Sequence, residues 1–252
     1  MLQRAPAYIE SLASKPFNKA NAKLLALSAA SAGTLCSALA DDARGALFSG
    51  LSTFSDALCG IQRGYFSWAT VKLYYACFYA AKAALARDGL AIFYVGNSPV
   101  MLEAMAGSSI SFAGGNSHAV VTSAYEKRFP SGALVSQDID AEPAFRWMTR
   151  RREDVNYRLQ KFSEPAPNEW FEQVVGLGVR KAMSAYVGDP TLYAYDAEYA
   201  ILALPLLAFL EEKKKAASFS SLGLSGTQIS YLKSKFADSK GPLPMLSTAL
   251  FG

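Results

Sequence analysis

Four arginines, two carboxylates, an amide and a phenol fall within the eleven residues Met148 to Arg158 (MTRRREDVNYR). On a helix Arg152 and Asn156 share one face and Glu153 and Tyr157 the next. Arg150 with Asp154, and Asp154 with Arg158, run beside them as i, i+4 pairs. Guanidinium forks match phosphate oxygens and stay charged at any cellular pH, so a polar site that handles phosphate is one reading. A solvated helix face laced by ion pairs is the other, and spacing leaves both open.

The rest of the composition narrows the chemistry. A chain of 252 residues with 51% hydrophobic content has ample material for a buried core. The formal charge of +4 and pI near 8.8 permit nucleic-acid contact without demanding it. Cys36, Cys59 and Cys77 are odd in number and lie in apolar helical sequence, which suggests reduced core thiols in a cytoplasmic protein. With His118 as the single histidine, no zinc site has ligands at workable spacing, and no metal or cofactor is expected. Residues 1 to 16 lack the apolar segment of a signal peptide. The uncharged run Tyr199 to Leu210 is shorter than the ~20 residues that span a bilayer, so no membrane partner is expected.

The elements that must position the arginines read as helices. Alanine, leucine and serine dominate the first ninety or so positions, and helices are expected at 5–14, 20–39, 41–61 and 66–88, with Asn21 and Asp41 as N-caps. The aromatic crowd Tyr65, Phe66, Trp68, Tyr74, Tyr75, Phe78 and Tyr79 surrounds more than one face of the fourth helix, which predicts central burial. Between Gly89 and Pro143 short helices are expected, one opened by Gly96-Asn97-Ser98-Pro99 and one by Gly114-Gly115-Asn116-Ser117-His118. A long helix over 143–161 carries the arginines, and residues 162–168, with two prolines, form an extended connection. Further helices are expected at 169–187, at 193–216 with a kink at Pro205, and at 225–237. Gly114 to Ser117 lacks the Lys-Ser/Thr ending of a P-loop and reads as a turn. Glu211 to Lys215 reads as a helix terminus with cations at its negative end. The class is all-α.

The stretch Tyr65-Phe66-Ser67-Trp68-Ala69-Thr70-Val71-Lys72-Leu73-Tyr74-Tyr75-Ala76-Cys77-Phe78-Tyr79-Ala80-Ala81, followed by Arg152-Glu153-Asp154-Val155-Asn156-Tyr157-Arg158, resembles helical proteins of the HEPN superfamily. The resemblance covers roughly residues 40 to 165. It implies a HEPN-like helical bundle over 41–165, to which the helices expected on either side add an N-terminal helical segment over 1–40 and a C-terminal helical extension over 166–252. It also implies a homodimer or larger protein complex, and a role in a prokaryotic anti-phage or toxin-type system acting on or binding RNA. Many members are metal-independent ribonucleases with an Arg-x4-6-His motif. Here the position five residues after Arg152 is Tyr157, so the motif histidine is missing. A rebuilt site would use His118 as the base, Arg152 to hold the phosphate and Asn156 and Tyr157 to orient it, with Arg150, Arg151 and Arg158 contacting RNA. The competing expectation is a non-catalytic helical adaptor that binds a partner protein.

Overall fold

The computed structural model describes residues 3–13, 15, 17–215 and 223–252. The expected helix ends at 14 and 216, and parts of the opening segment 1–16, lie outside the described residues. The chain is mainly helical, with short antiparallel sheets. Its contacts divide it into two compact units: Met1–Leu47 with Ala81–Arg128, and Phe48–Ala80 with Phe129–Gly252.

In the first unit, α1 (Arg4–Leu12) and α2 (Lys19–Lys23) precede the part of α3 (Ala29–Gln62) up to Leu47, whose remainder belongs to the second unit, and the end of α4 (Phe66–Arg87) leads into the sheet β1 (Leu90–Val95), β2 (Ser98–Glu103) and β3 (Ser111–Phe112) and then α5 (Ser117–Arg128). The first amides of α1 have no partner in their own helix; those of Arg4 and Ala5 bond to the Asp42 carboxylate at 2.7 and 2.9 Å. β1 and β2 join through the two-residue turn Gly96-Asn97, with Gly96 at φ 58°, a conformation that favours glycine at the first central position. Strand period 2 then sends Ala91, Phe93 and Val95 to one face, where with Val100 and Leu102 they join Ile9, Leu35 and Leu39 in the core.

The second unit is built around α10 (Ala200–Lys214), whose residues Ala200 to Phe209 are all buried, as suits a helix apolar on every side. Around it are the β4–β5 hairpin (Asp138–Ile139, Glu142–Pro143), α6 (Ala144–Glu153), one turn of π-helix (Asp154–Arg158), a 3-10 turn (Glu169–Phe171), α7 (Glu172–Leu177), α8 (Val179–Gly188) and α9 (Pro190–Ala194). The chain closes with α11 (Gly226–Lys235), the β6–β7 hairpin (Ala237–Asp238, Gly241–Pro242) and α12 (Pro244–Phe251). The Phe54 ring lies 6.0 Å from that of Phe209 and 6.1 Å from that of Phe236.

Several expectations need correction. The region 96–103 is a turn and a strand, because Gly96-Asn97 closes a hairpin and Ser98 to Glu103 pair with Val95 to Leu90, an alternative that the capping reading of Gly-Asn-Ser-Pro overlooked. Helices expected at 20–39 and 41–61 are the short α2, capped by Asn18 instead of Asn21, and the unbroken α3. Neither glycine nor proline interrupts 39–42, so Asp41 sits inside α3 and pairs with Arg4 and Arg44. The helix expected over 169–187 is split where Gly178 takes φ 80°. Residues 193–199 form the end of α9 and a connection, while α10 continues through Pro205. The expected 225–237 helix matches α11, which opens with a capping box of Ser225 and Gln228. Of the three free thiols only Cys77 is buried; Cys59 is half-buried and Cys36 exposed. Among the described residues no helix is long and apolar enough to cross a membrane, and no group of three or more His, Cys, Asp or Glu could hold a metal ion.

Candidate functional site

The arginine helix α6 starts directly from the β4–β5 hairpin, whose turn residues Asp140 and Ala141 both take left-handed conformations, φ 51° and 61°. That turn aims Asp140 Oδ2 at the Trp147 indole N–H, which donates to it at 3.2 Å. One helical turn on, the Arg151 guanidinium lies 4.8 Å from the Trp147 ring and 4.9 Å from the Trp170 ring. Its nitrogens face Asp154 at 3.5 Å, Asp140 at 3.6 Å and Glu169 at 3.7 Å, and its side chain is 14% exposed. The guanidinium is thus held between two indoles and shared by three carboxylates. A cleft of about 320 Å³ beside it is lined by Asp140, Glu169, Glu172 and Glu198 against the single cation Arg151. Such a cleft repels phosphate.

The neighbouring arginines are committed in the same way. Arg150 pairs with Glu142 at 3.0 Å. Arg152, 12% exposed, rests 4.7 Å from the centre of the Tyr74 ring and pairs with Glu153 at 3.2 Å. Burial, the largest influence, pushes the Tyr74 phenol well above its usual range, and Arg152 opposes it only in part. The Nε atoms of Arg150, Arg151 and Arg152 are buried without a hydrogen-bond partner, so the side chains act through their terminal nitrogens and flat faces. Arg158 pairs with Asp154 at 3.1 Å.

Past Glu153 the helix widens: Leu159 N–H donates to Asp154 C=O at 2.8 Å, a five-residue step. This extra width changes the α-helical spacing on which a shared face for Arg152 and Asn156 was expected. Asn156 and Tyr157 are exposed, Tyr157 by 77%. His118 lies in the first turn of α5 and belongs to the first unit, whereas Arg150, Arg151, Arg152, Asn156, Tyr157 and Arg158 belong to the second.

Sequence reasoning missed the aromatic surface near the connection after the π-helix. Tyr65 and Trp68, expected at the centre, are 55% and 54% exposed. Trp68 makes an edge contact with Phe162, itself 47% exposed, at 5.8 Å between ring centres. Glu164 holds this arrangement, because its carboxylate accepts from the Ser67 amide at 2.8 Å and from the Ser67 hydroxyl at 2.7 Å in the first turn of α4. Burial alone would raise the Glu164 pKa, but these bonds outweigh it and hold it below the usual carboxylate range. Arg63 and Lys161 are exposed and have no ion pair among the described residues. The available signal was an aromatic, Phe162, opening a proline-containing connection, where a core residue has little to pack against.

Comparison with known proteins adds no relative: the chain matches no family model, no curated protein and no solved structure.

Proposed function

We propose that this chain binds single-stranded RNA on the surface formed by Tyr65, Trp68 and Phe162, a binding member of the HEPN-like class that the sequence resembles. The observation that carries the reading is the exposed Trp68–Phe162 pair, flanked in sequence by the unpaired cations Arg63 and Lys161. Exposed ring faces stack on bases, and nearby cations meet the phosphates, which together form the usual platform for single strands. Arg150, Arg151 and Arg152 of α6 act as scaffold, since each already has a carboxylate. Binding is favoured over cleavage because a metal-free nuclease needs a guanidinium free to hold the scissile phosphate, and Arg152 is spent on Tyr74 and Glu153.

The test is fluorescence anisotropy of a labelled single-stranded RNA of about ten nucleotides, with the His118→Ala variant beside the parent to expose contaminating ribonuclease. Saturable binding of intact RNA, unchanged in His118→Ala, is expected. Cleavage that disappears in both His118→Ala and Arg152→Ala would overturn the binding-only reading in favour of the nuclease. A parent that binds no RNA and purifies in a stable protein complex would favour the adaptor.

A further inference from the structure

A second cavity has no part in the RNA reading. It lies wholly within the first unit, between the sheet and α5, with a volume of about 700 Å³. Sites for small organic ligands run from about 300 to 1,000 Å³ and combine apolar walls with a few polar groups. Leu90 and Met101 from the strands and Val120 from α5 supply the apolar wall, and Ser109 and Ser123 add hydroxyls that make no hydrogen bond among the described residues.

The charged lining is divided in role. Arg128 donates to the carboxylates of Glu103, at 2.6 Å, and of Asp88, and to the Asp88 carbonyl at 2.8 Å. These bonds tie the last turn of α5 to the ends of β2 and α4, so Arg128 shapes the cavity and its charge is balanced. Lys127, the next residue back and also on the lining, is exposed and has no ion pair among the described residues. A hydrated lysine at a helix C-terminus is ordinary by itself. Beside a half-apolar cavity large enough for a ring system, it supplies the only uncompensated charge on the described lining.

We infer that this cavity is a binding site for a small amphipathic organic anion, its apolar body against Leu90, Met101 and Val120 and its anionic group at Lys127. Hydroxyls at Ser109 and Ser123 give the same ligand hydrogen bonds at the polar edge. The inference stands independently of RNA binding.

The probe is 1-anilinonaphthalene-8-sulfonate, an aromatic monoanion, titrated by fluorescence into the full chain beside its uncharged analogue N-phenyl-1-naphthylamine. Saturable one-site binding is expected. Filling the cavity with Ala124→Phe or Ser123→Trp should weaken both probes about tenfold or more, with circular dichroism reporting that the variants fold. Lys127→Gln, a change on the exposed surface, should weaken the sulfonate about fivefold and leave the neutral probe unmoved. Sulfonate binding that survives Lys127→Gln unchanged, or that survives cavity filling in a folded variant and is lost in Trp68→Ala, overturns the proposal.

Discussion

Two tryptophan neighbourhoods in the second unit use cations in opposite ways. At Trp147 and Trp170 the cation Arg151 is inside, stacked on both indoles and shared by Asp140, Asp154 and Glu169. At Trp68 the indole faces outward, makes its one ring contact among the described residues with the edge of another exposed ring, Phe162, and has unpaired cations beside it in sequence. The first arrangement satisfies its own electrostatics and leaves nothing for a ligand except acidic groups. The second leaves stacking area and positive charge unspent. The balance of each cation, and not the count of arginines, separates a cluster that is already neutralised from one with charge to spare.

The sharpest way to break this contrast is Arg151→Ala. Removing a cation that three carboxylates share should destabilise the fold by on the order of 2–3 kcal/mol in urea unfolding, while RNA affinity of the folded fraction stays the same. Lost affinity without lost stability would reverse the two roles. Next in size is Trp68→Ala, or Phe162→Ala, expected to lower RNA affinity by about 1–2 kcal/mol in anisotropy titrations with little change in unfolding midpoint.

A smaller effect is expected from Glu164→Gln, which loosens the tie to Ser67 by about 1 kcal/mol near neutral pH. Because the Glu164 pKa is depressed in the fold, its contribution is full above the carboxylate's unfolded pKa and is lost as pH falls through the lower folded value. The difference in melting temperature between parent and Glu164→Gln should therefore shrink below about pH 4. The smallest effect sharpens the charge side: with Arg63 and Lys161 near phosphates, log affinity should fall against log salt with a slope of about −1.4, and Arg63→Gln should make it shallower by about 0.7.

Much of the helical framework was legible in the sequence, and the failures have physical causes. The Ser225 capping box and the buried run Ala200 to Phe209 announced α11 and α10 because local chemistry and apolar content agreed there. The strand of residues 90–95 was hidden because Gly-Asn-Ser-Pro offers both a turn and a cap, and only the pairing of Val95 with Ser98 selects the turn. Asp41 looked like a helix start, yet it lies inside α3, and its neighbour Asp42 caps α1 from 37 residues away, a long-range bond that no local pattern encodes. The arginine stretch and its Asp154–Arg158 pair were visible at once, whereas the partners of Arg150 and Arg151 were not. Glu142 and Glu169 lie outside its helix, and the five-residue step from Asp154 to Leu159 altered the expected faces. Trp68 was misread because an aromatic crowd looks the same from sequence whether its members face inward or out.

The measurement closest to the central claim is ultraviolet cross-linking of the full chain to single-stranded RNA, with the cross-linked peptides mapped by mass spectrometry. Cross-links at Tyr65, Trp68 and Phe162, and none between Asp140 and Asp154, are the predicted result. Cross-links concentrated on the Arg150 to Arg152 turn, or on the His118 helix, would contradict it.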